Sequence, residues 1–511
     1  MSRRVEIIGG GPGGLYTARL LKRADPTLRV VVHERLSGGE QTFGFGVGLT
    51  ASTMRNLEAA DPETADRVRE ASHAGHTLEL RGADRAVTLH GARNLAIGRA
   101  SLLGILADAA QAAGVEYRPG SPPDPGDVSA DVVIAADGVR STTRQRLAAE
   151  LGVHTQLGRT RFVWCGADFA ADAAFFSSVF TEKGLFVAHA YPYADDRSTF
   201  LIEVDEETWR TSGLDSFDAH TPPGATDHAS VDLLQGVFTR ELRGRGLLTN
   251  RTRWAQFTNL SLDRWSSGHT VLLGDAAHTA HYTLGSGTKL ALEDAIALAT
   301  ALTGEDSVAS AFASYENARR PAVERFQRLA ARSQGWWDSY RMRAGWELER
   351  LALSYMTRSG NLTLADYARE HADVARTALG WLGPHVPADT EQLEDWVLAQ
   401  PLQDPDLRLP QRCLSREALH SATAVVDIHW AAPGVWHEAA DDVIARAAAW
   451  PHVPVVLHGP DRPEGIGARI DMAERIRLQT DRTVGVALPP SAVAEGAAAV
   501  GTSRADFIVT R

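Results

Sequence analysis

The sequence predicts an α/β protein in which a doubly wound parallel sheet is interrupted by an antiparallel sheet and followed by a small α/β region. A short apolar strand over residues 5–8 precedes a glycine-rich turn, a helix over 15–23 and a second strand over 28–33, which together form one βαβ unit. Residues 161–204 alternate apolar and polar side chains and are rich in aromatic residues, which is typical of antiparallel strands. After residue 410, short apolar strands alternate with helical segments, and this favours parallel strands.

Length and composition exclude several classes of protein. The chain has 511 residues, 44% of them hydrophobic, a net charge of −12 and two cysteines. At roughly 150 residues per domain this length predicts about three domains. No run of about 18 apolar residues and no apolar leader occurs, so we expect a cytoplasmic protein without a membrane partner. The negative charge argues against nucleic-acid binding, and two cysteines are too few for a disulfide framework or a zinc site. No cluster of metal ligands is predicted.

Further elements follow along the chain. Residues 99–114 form an amphipathic helix, and a buried strand over 131–136 runs into Asp137-Gly138. A strand at 270–274 is followed by a helix over 287–302, and a long helical stretch covers 311–351. The segment PLQDPDLRLP, within residues 398–410, has the composition of a linker.

The first chemical motif is the turn after the first strand. Gly9, Gly11 and Gly14 have G-x-G-x-x-G spacing, in which the glycines permit a tight turn, close approach to a pyrophosphate and close helix packing. Glu34 lies at the end of the second strand, where a carboxylate can bind the ribose hydroxyls. Strand, turn, helix, strand and acid all occur in register, so the sequence predicts binding of FAD or NAD.

Three later motifs decide between these cofactors. Gly274-Asp275-Ala276-Ala277-His278 lies on a strand-to-helix turn, and Gly285-Ser286-Gly287-Thr288-Lys289 precedes a helix that contains Glu293-Asp294-Ala295. With the glycine-rich turn and Asp137-Gly138, this order resembles the single-component (group A) FAD-dependent aromatic hydroxylases. The resemblance implies a GR2-type Rossmann-like FAD-binding domain with an inserted substrate domain.

The resemblance also implies the chemistry. NADH or NADPH, docking transiently, would reduce FAD, O₂ would add at the flavin C4a, and the hydroperoxide would transfer oxygen to an aromatic ring. Oriented N–H groups at a helix N-terminus would stabilise the charge of the reduced flavin. The residues assigned to cofactor binding are Gly9, Gly11, Gly14, Glu34, Arg35, Arg99, Asp137, Gly274, Asp275, Gly285, Gly287, Thr288 and Lys289. For Arg35 and Arg99, a solvated surface position is the alternative.

The match is most specific in residues 42–47 and 277–290, which look like the branch that contains salicylyl-CoA 5-hydroxylase and anthraniloyl-CoA monooxygenase. Tyr282-Thr283-Leu284 stands where the wider family has a proline, and Lys289 where it has asparagine. We assign His281 and Tyr282 as candidate catalytic residues. His281 could assist deprotonation of a phenol, or could be a structural loop histidine. Phe45, Val47 and Tyr191 are candidate walls of the substrate pocket. His278 is expected to be structural.

The domain boundaries follow from these motifs. We predict an FAD-binding domain over residues 1–160, with pocket elements near 42–95, and an antiparallel substrate domain over 161–265. The FAD-binding domain is completed, with long helices, over 266–400. Residues 401–511 resemble the last strands of an old-yellow-enzyme barrel and are read as a shortened remnant without FMN, because a complete barrel needs about 250 residues. Arg511 as a surviving phosphate ligand is the alternative.

The substrate and several functions remain open at this stage. The resemblance implies a substrate that is an aromatic or related seven-membered ring acid, either free or as its CoA thioester, and hydroxylation with loss of CO₂ is an alternative. Arginines that could bind CoA phosphates, or form solvated surface, are Arg140, Arg144, Arg146, Arg159 and Arg161. Other functions to be tested are an FAD-dependent dehydrogenase or halogenase and a flavin-binding scaffold without turnover. A homodimer is one oligomeric state to be tested.

Overall fold

The computed structural model describes residues 3–37, 45–74, 77–89, 94–120, 130–216, 224–285, 287–405 and 407–510. The chain forms two compact units, one of residues 1–83 and 91–327, the other of residues 84–90 and 328–511. The division into four domains stays a prediction. Residues 42–44, Ser286 and Arg511, which the sequence motifs include, lie outside the described residues.

The first unit contains most of the strands. Its strands are β1 (Arg4–Ile8), β2 (Arg29–Glu34), β3 (Gly46–Leu49), β4 (His73–Ala74), β5 (Leu78–Arg81), β7 (Leu95–Gly98), β8 (Glu116–Pro119), β9 (Val132–Ala135), β10 (Val153–Leu157), β11 (Arg161–Ala167), β12 (Ala174–Thr181), β13 (Gly184–Ala194), β14 (Arg197–Val204), β15 (Leu247–Leu248), β16 (Thr258–Leu262), β17 (Ser266–Ser267) and β18 (Thr270–Leu272); β6 (Ala86–Leu89) belongs to the second unit.

Its helices pack around these strands. They are α1 (Pro12–Ala24), α2 (Ala51–Ala60), α3 (Pro62–Glu70), α4 (Arg99–Ala112), α5 (Thr142–Arg146), α6 (Ala148–Leu151), α7 (Glu206–Thr211), α8 (His228–Val237) and α9 (Gly287–Gly304), and α10 (Val308–Asp338) has residues in both units. Side chains of Thr50, Asp61, Ser141, Asp205 and Asp227 accept hydrogen bonds from the first turns of α2, α3, α5, α7 and α8. These caps fix where the helices begin.

The parallel sheet of the first unit confirms the predicted βαβ core. Its strand order is β17-β18-β9-β1-β2-β8, and all neighbours except the β17–β18 pair are parallel. The segments that follow β1, β2, β9 and β18 therefore meet at one edge, the carboxyl edge of the parallel strands. Ligands of open α/β sheets bind at this edge. The residues of the predicted cofactor motifs follow these four strands.

The antiparallel sheet is also confirmed. Within the first unit its strands run in the order β15-β11-β14-β13-β12-β5, with only β5 and β12 parallel. One face is an apolar core in which Val163, Phe186 and Phe200 pack with residues of α8 such as Leu234. Alternation along the strands places the next residues on the opposite face. That second face carries polar and aromatic side chains.

The second unit is the predicted small α/β region with its preceding helices. Its elements after α10 are α11 (Leu348–Thr357), α12 (Leu364–Glu370), α13 (Ala372–Leu379), α14 (Leu393–Ala399), β19 (Leu402–Gln403), β20 (Arg408–Leu409), β21 (Cys413–Ser415), α15 (Arg416–Ala422), β22 (Val426–His429), α16 (Glu438–Ala448), β23 (Val455–His458), α17 (Pro463–Thr480), β24 (Val484–Leu488), α18 (Val493–Gly501) and β25 (Phe507–Thr510). Strands β21-β25-β24-β23-β22 form one parallel sheet. The relation to an old-yellow-enzyme barrel stays a prediction.

Two predictions about this region were wrong. The proposed linker is a hairpin, β19–β20, whose Leu402, Leu407 and Leu409 are buried in a cluster with Phe507 and Val509. Leu407 and Leu409 alternate with the exposed Arg408, and this alternation, rather than the turn residues between the strands, indicates a strand. The helical stretch over 311–351 is also interrupted between α10 and α11, at residues 339–347.

The described residues contain neither a membrane-spanning helix nor a cluster of metal ligands. No helix among them is both long and apolar enough to cross a membrane. In the same part of the chain, no group of three or more His, Cys, Asp or Glu side chains is arranged to hold a metal ion.

Candidate active site

The turn after β1 is built around two close backbone approaches. Gly9 has φ of +110°, and a Cβ there would overlap the carbonyl group of Ala136. A Cβ at Gly14 would overlap the carbonyl oxygen of Gly9. Gly11 differs, because a Cβ there would meet nothing within 4 Å. Gly9 and Gly14 are therefore required by the fold, whereas Gly11 leaves room beside the N-terminus of α1.

Glu34 lies at the carboxyl end of β2 and faces this turn. Its Oε2 accepts a hydrogen bond of 2.8 Å from the Gly10 N–H, and its Oε1 accepts one of 2.8 Å from the Leu36 N–H. These two bonds orient the carboxylate, and each oxygen retains a lone pair for a further donor. Arg35, the neighbouring residue, is exposed.

The second part of the site follows β18. Asp275 is accessible to solvent, yet it is surrounded by many protein atoms. The partial loss of water around its carboxyl raises the pKa of that group, against the attraction of Arg99 and His278. A Cβ at Gly287, the first residue of α9, would have the Asp275 Oδ1 as its nearest neighbour, 3.8 Å away. Gly285 precedes it with φ of +64°. Asp275 and the N-terminus of α9 therefore lie side by side.

A buried carboxylate that the sequence analysis did not assign holds this loop. Asp294 of α9 is fully buried and accepts a 3.0 Å hydrogen bond from the Gly274 N–H. His278 Nε2 lies 2.8 Å from the same oxygen, and Arg319 Nε donates to the other oxygen at 2.9 Å. Burial raises the pKa of Asp294, but the contacts with His278 and Arg319 outweigh it and hold that pKa below its usual value. The structural role expected for His278 agrees with this arrangement.

Two assigned cofactor residues have partners within the protein. Asp137, after β9, accepts hydrogen bonds through Oδ2 from the N–H groups of Thr142 and Thr143, while its Oδ1 is buried without a partner. Lys289 forms an ion pair with Glu293 one turn along α9. Lys289 therefore contributes to the stability of α9, and the Asp137 Oδ1 is an acceptor without a donor in the described structure.

These features fit an FAD molecule. The space at Gly11 lies beside the α1 N-terminus, which can hold a pyrophosphate, and Glu34 can accept ribose hydroxyls. Asp137 Oδ1 and the exposed Asp275 supply acceptors further along the same edge of the sheet. Arg99, which opens α4, and Thr288, near the start of α9, complete the assigned set.

The predicted pocket residues lie at the polar face of the antiparallel sheet. The Tyr191 hydroxyl donates a 2.7 Å hydrogen bond to the carbonyl oxygen of Gly46, in β3. Phe45 packs against Gly166 of β11, where a Cβ would collide with its ring. Val47 is half-buried in β3. The structure thus brings the three predicted walls to one region, although their contact with a substrate remains a prediction.

His281 and Tyr282 lie in the loop that follows Asp275. His281 is buried, its Nδ1 lies 3.0 Å from the Thr283 Oγ1, and its ring packs on that of Phe257 with centroids 4.8 Å apart. The Tyr282 hydroxyl donates to Glu203 of β14. This pair has no local sequence signal, because 78 residues lie between the two positions in the chain.

Two of the arginines considered for CoA binding have partners within the protein. Arg144 is buried and donates to the carbonyl oxygens of Val139 and Ala276. Arg161 forms a 2.8 Å ion pair with Glu206 and lies over the ring of Trp209. Both guanidinium groups therefore stabilise the protein itself.

The fold and the site define a class of protein. A glycine-rich βαβ turn, a carboxylate at the end of the second strand and a second aspartate loop at the same sheet edge are the components of a dinucleotide-binding flavoprotein. The chain belongs to the family described as "FAD binding domain", whose model matches residues 3–122 and 121–330.

Two relatives define the activity more closely. The chain is 37% identical over 417 residues to a salicyloyl-CoA 5-hydroxylase of a Streptomyces species, covering 80% of this chain and 78% of that protein. It is also 37% identical over 367 residues to the 3-hydroxy-4-methyl-anthranilyl-[aryl-carrier protein] 5-monooxygenase of Streptosporangium sibiricum, covering 72% and 97% of the two chains. The protein is an FAD-dependent monooxygenase of the aromatic hydroxylase type.

A solved structure supports the fold. The 2-methyl-3-hydroxypyridine-5-carboxylic acid oxygenase superposes with a TM-score of 0.55 at 21% identity and covers 72% of this chain and 98% of that one. The predicted family and the predicted α/β fold are both confirmed.

Proposed function

We propose that this enzyme hydroxylates the ring of a hydroxybenzoyl or aminobenzoyl group carried as a thioester, with NADH or NADPH as reductant and O₂ as oxidant. Two relatives support the thioester, since one is named for salicyloyl-CoA and the other for an anthranilyl group on a carrier protein. The structural observation that carries the proposal is the loop from Asp275 to Gly285, which joins the cofactor edge of the parallel sheet to Glu203 on the polar face of the antiparallel sheet.

Each part of this loop has a role in the proposal. FAD, when bound, supplies the activation of O₂ and the transfer of one oxygen atom. Asp275 and the N-terminus of α9 hold the cofactor, and Phe45, Val47 and Tyr191 exclude water from the substrate ring. His281 accepts the proton of a ring hydroxyl, a task that suits a neutral imidazole.

The test compares thioesters with free acids. Purified, FAD-loaded protein is supplied with NADH or NADPH and ¹⁸O₂, together with salicyloyl-CoA, anthraniloyl-CoA or the corresponding acids. The expected result is faster NAD(P)H oxidation with the thioesters and a product that carries one ¹⁸O atom, measured by mass spectrometry.

The control is the His281→Gln variant, which retains a polar side chain but cannot act as a base. It is expected to bind FAD normally and to form product at least tenfold more slowly, within the usual range for a general base. Hydroxylation of free acids alone, with or without release of CO₂, would refute the thioester assignment. NAD(P)H oxidation that no aromatic compound stimulates would refute the hydroxylase.

A further inference from the structure

A buried acid lies on the polar face of the antiparallel sheet. Glu203 of β14 is 3% exposed, and the strand register places it between Phe162 of β11 and Val187 of β13. His189 of β13 lies diagonally across, with its Nε2 2.6 Å from the Glu203 Oε2. An ionised carboxylate in such a position requires compensating donors.

The other oxygen of Glu203 is occupied by Tyr282. The Tyr282 hydroxyl donates to Oε1 from the loop that follows Asp275. The tyrosine ring is half-buried and is surrounded by the rings of Phe162, Phe257 and Trp164, with centroids 5.0, 5.8 and 6.0 Å away. One end of this side chain is therefore anchored in the sheet, within an aromatic surface of the kind that accepts planar rings.

The Glu203–Tyr282 hydrogen bond has a direction. A carboxylate can only accept, so the tyrosine must give its single proton to Glu203. Toward any further neighbour, the Tyr282 oxygen can then act only as an acceptor. A group approaching that oxygen must bring its own proton.

We infer that Glu203 fixes the polarity of the Tyr282 hydroxyl and thereby makes the site select aromatic substrates that present a hydrogen-bond donor, a ring hydroxyl or amino group, to Tyr282. This inference rests on the proposed function, because it takes the surface around Tyr282 as the substrate site. It assigns Glu203 as a positioning residue, which acts through Tyr282 and need not touch the substrate.

The charge state of Glu203 supports this polarity. Burial raises the pKa of its carboxyl, but attraction to His189 and the hydrogen bonds from His189 and Tyr282 act against burial, and that pKa is held below its usual value. The carboxylate therefore stays ionised, and it cannot reverse the hydrogen bond by becoming a donor.

The experiment measures binding rather than turnover. We titrate the FAD-loaded protein by calorimetry with N-acetylcysteamine thioesters of benzoate. Each thioester carries either hydroxyl or fluorine at ring position 2, 3 or 4. Fluorine is close in size to hydroxyl but has no proton. At one or more ring positions, we expect the hydroxyl compound to bind at least tenfold more tightly than its fluorine partner, the usual scale for a hydrogen bond in a site built for a donor.

Three variants test whether this preference depends on Glu203 and Tyr282. In Glu203→Gln the side-chain amide can donate to the Tyr282 oxygen, so the tyrosine proton can point toward the substrate instead. The preference for the hydroxyl compound over its fluorine partner should then fall below threefold. Tyr282→Phe removes the acceptor from the loop side without changing the sheet and should have the same effect. The double variant should show no further loss, because the two residues act as one unit.

The matched control is Glu241→Gln, since Glu241 also accepts a hydroxyl hydrogen bond, from Ser177. It should retain the full preference. Equal binding of each pair by the wild-type protein, or an unchanged preference in Glu203→Gln or Tyr282→Phe, would overturn the inference. If the thioesters are hydroxylated without such a preference, the proposed function stands and only the inference fails. Failure to bind any of these thioesters would overturn both.

Discussion

At the scale of single residues, two glycines in one turn have separable tasks. In Gly9→Ala, the new Cβ would overlap Ala136 in a left-handed backbone conformation, so we expect a loss of about 3 kcal/mol in stability. In Gly11→Ala, the Cβ enters open space at an ordinary φ of −74°, so stability should change by less than about 0.5 kcal/mol. Urea unfolding of the FAD-free proteins measures both changes.

The same pair separates folding from cofactor binding. Because the space beside Gly11 is where the pyrophosphate is proposed to lie, Gly11→Ala should weaken FAD binding at least tenfold in a protein that is otherwise fully folded, as measured by quenching of flavin fluorescence. Unchanged FAD affinity in this variant would move the pyrophosphate away from Gly11.

The contribution of Asp294 to stability is expected to depend on pH. Its buried carboxylate compensates Arg319 and holds the Gly274 N–H, so Asp294→Asn should cost about 2–4 kcal/mol at neutral pH. The folded-state pKa lies below the unfolded value of about 3.9, so this stabilisation is complete above that pH and declines as the pH falls through the folded-state pKa.

The measurement is the urea midpoint of wild type and variant between pH 3 and 8. The difference in urea midpoint between the two proteins should be largest near neutral pH and should decrease below about pH 4. Asp66→Asn is the control, because Asp66 forms an exposed pair with Arg69. A gap that widens toward acid pH would show that the carboxyl is protonated in the folded protein.

At the scale of elements, the β19–β20 hairpin raises the question of whether this segment is part of the core or only a connection between elements. Leu409 is 2% exposed among Phe507 and Val509, so Leu409→Ala should cost about 2–5 kcal/mol in stability. Its neighbour Arg408 is exposed, and Arg408→Ala should be neutral within about 0.5 kcal/mol. Thermal unfolding followed by circular dichroism compares the two, and equal melting temperatures would mean that the hairpin is not part of the core.

The elements also show how far local pattern can predict this protein. Strands such as β1 and β9 were predicted because a continuous apolar run between turn residues is a local signal. The hairpin was misread because Asp404 and Pro405 look like a linker and its three buried leucines gain meaning only against β25. Asp294 was noted in its motif but not assigned, since its contacts with Gly274 and Arg319 depend on how α9 docks. The Glu203–Tyr282 pair joins the loop after β18 to strand β14 and has no local signature.

At the scale of the whole molecule, we expect the two units to differ in flavin binding. In the first unit, Gly11, Glu34 and Asp275 lie at or just beyond the carboxyl ends of separate parallel strands and form the cofactor edge. In the second unit, β24 is followed by Pro489 and Pro490, with no glycine-rich turn between them and α18. A phosphate held by backbone N–H groups needs such a turn, and proline lacks the N–H. Acid-released flavin, separated by chromatography, should therefore be one FAD per chain and no FMN. Gly11→Ala should lower the FAD content without releasing any FMN. Stoichiometric FMN in either protein would mean that the C-terminal sheet retains a phosphate site of its own and that the reading of it as a shortened barrel remnant is wrong.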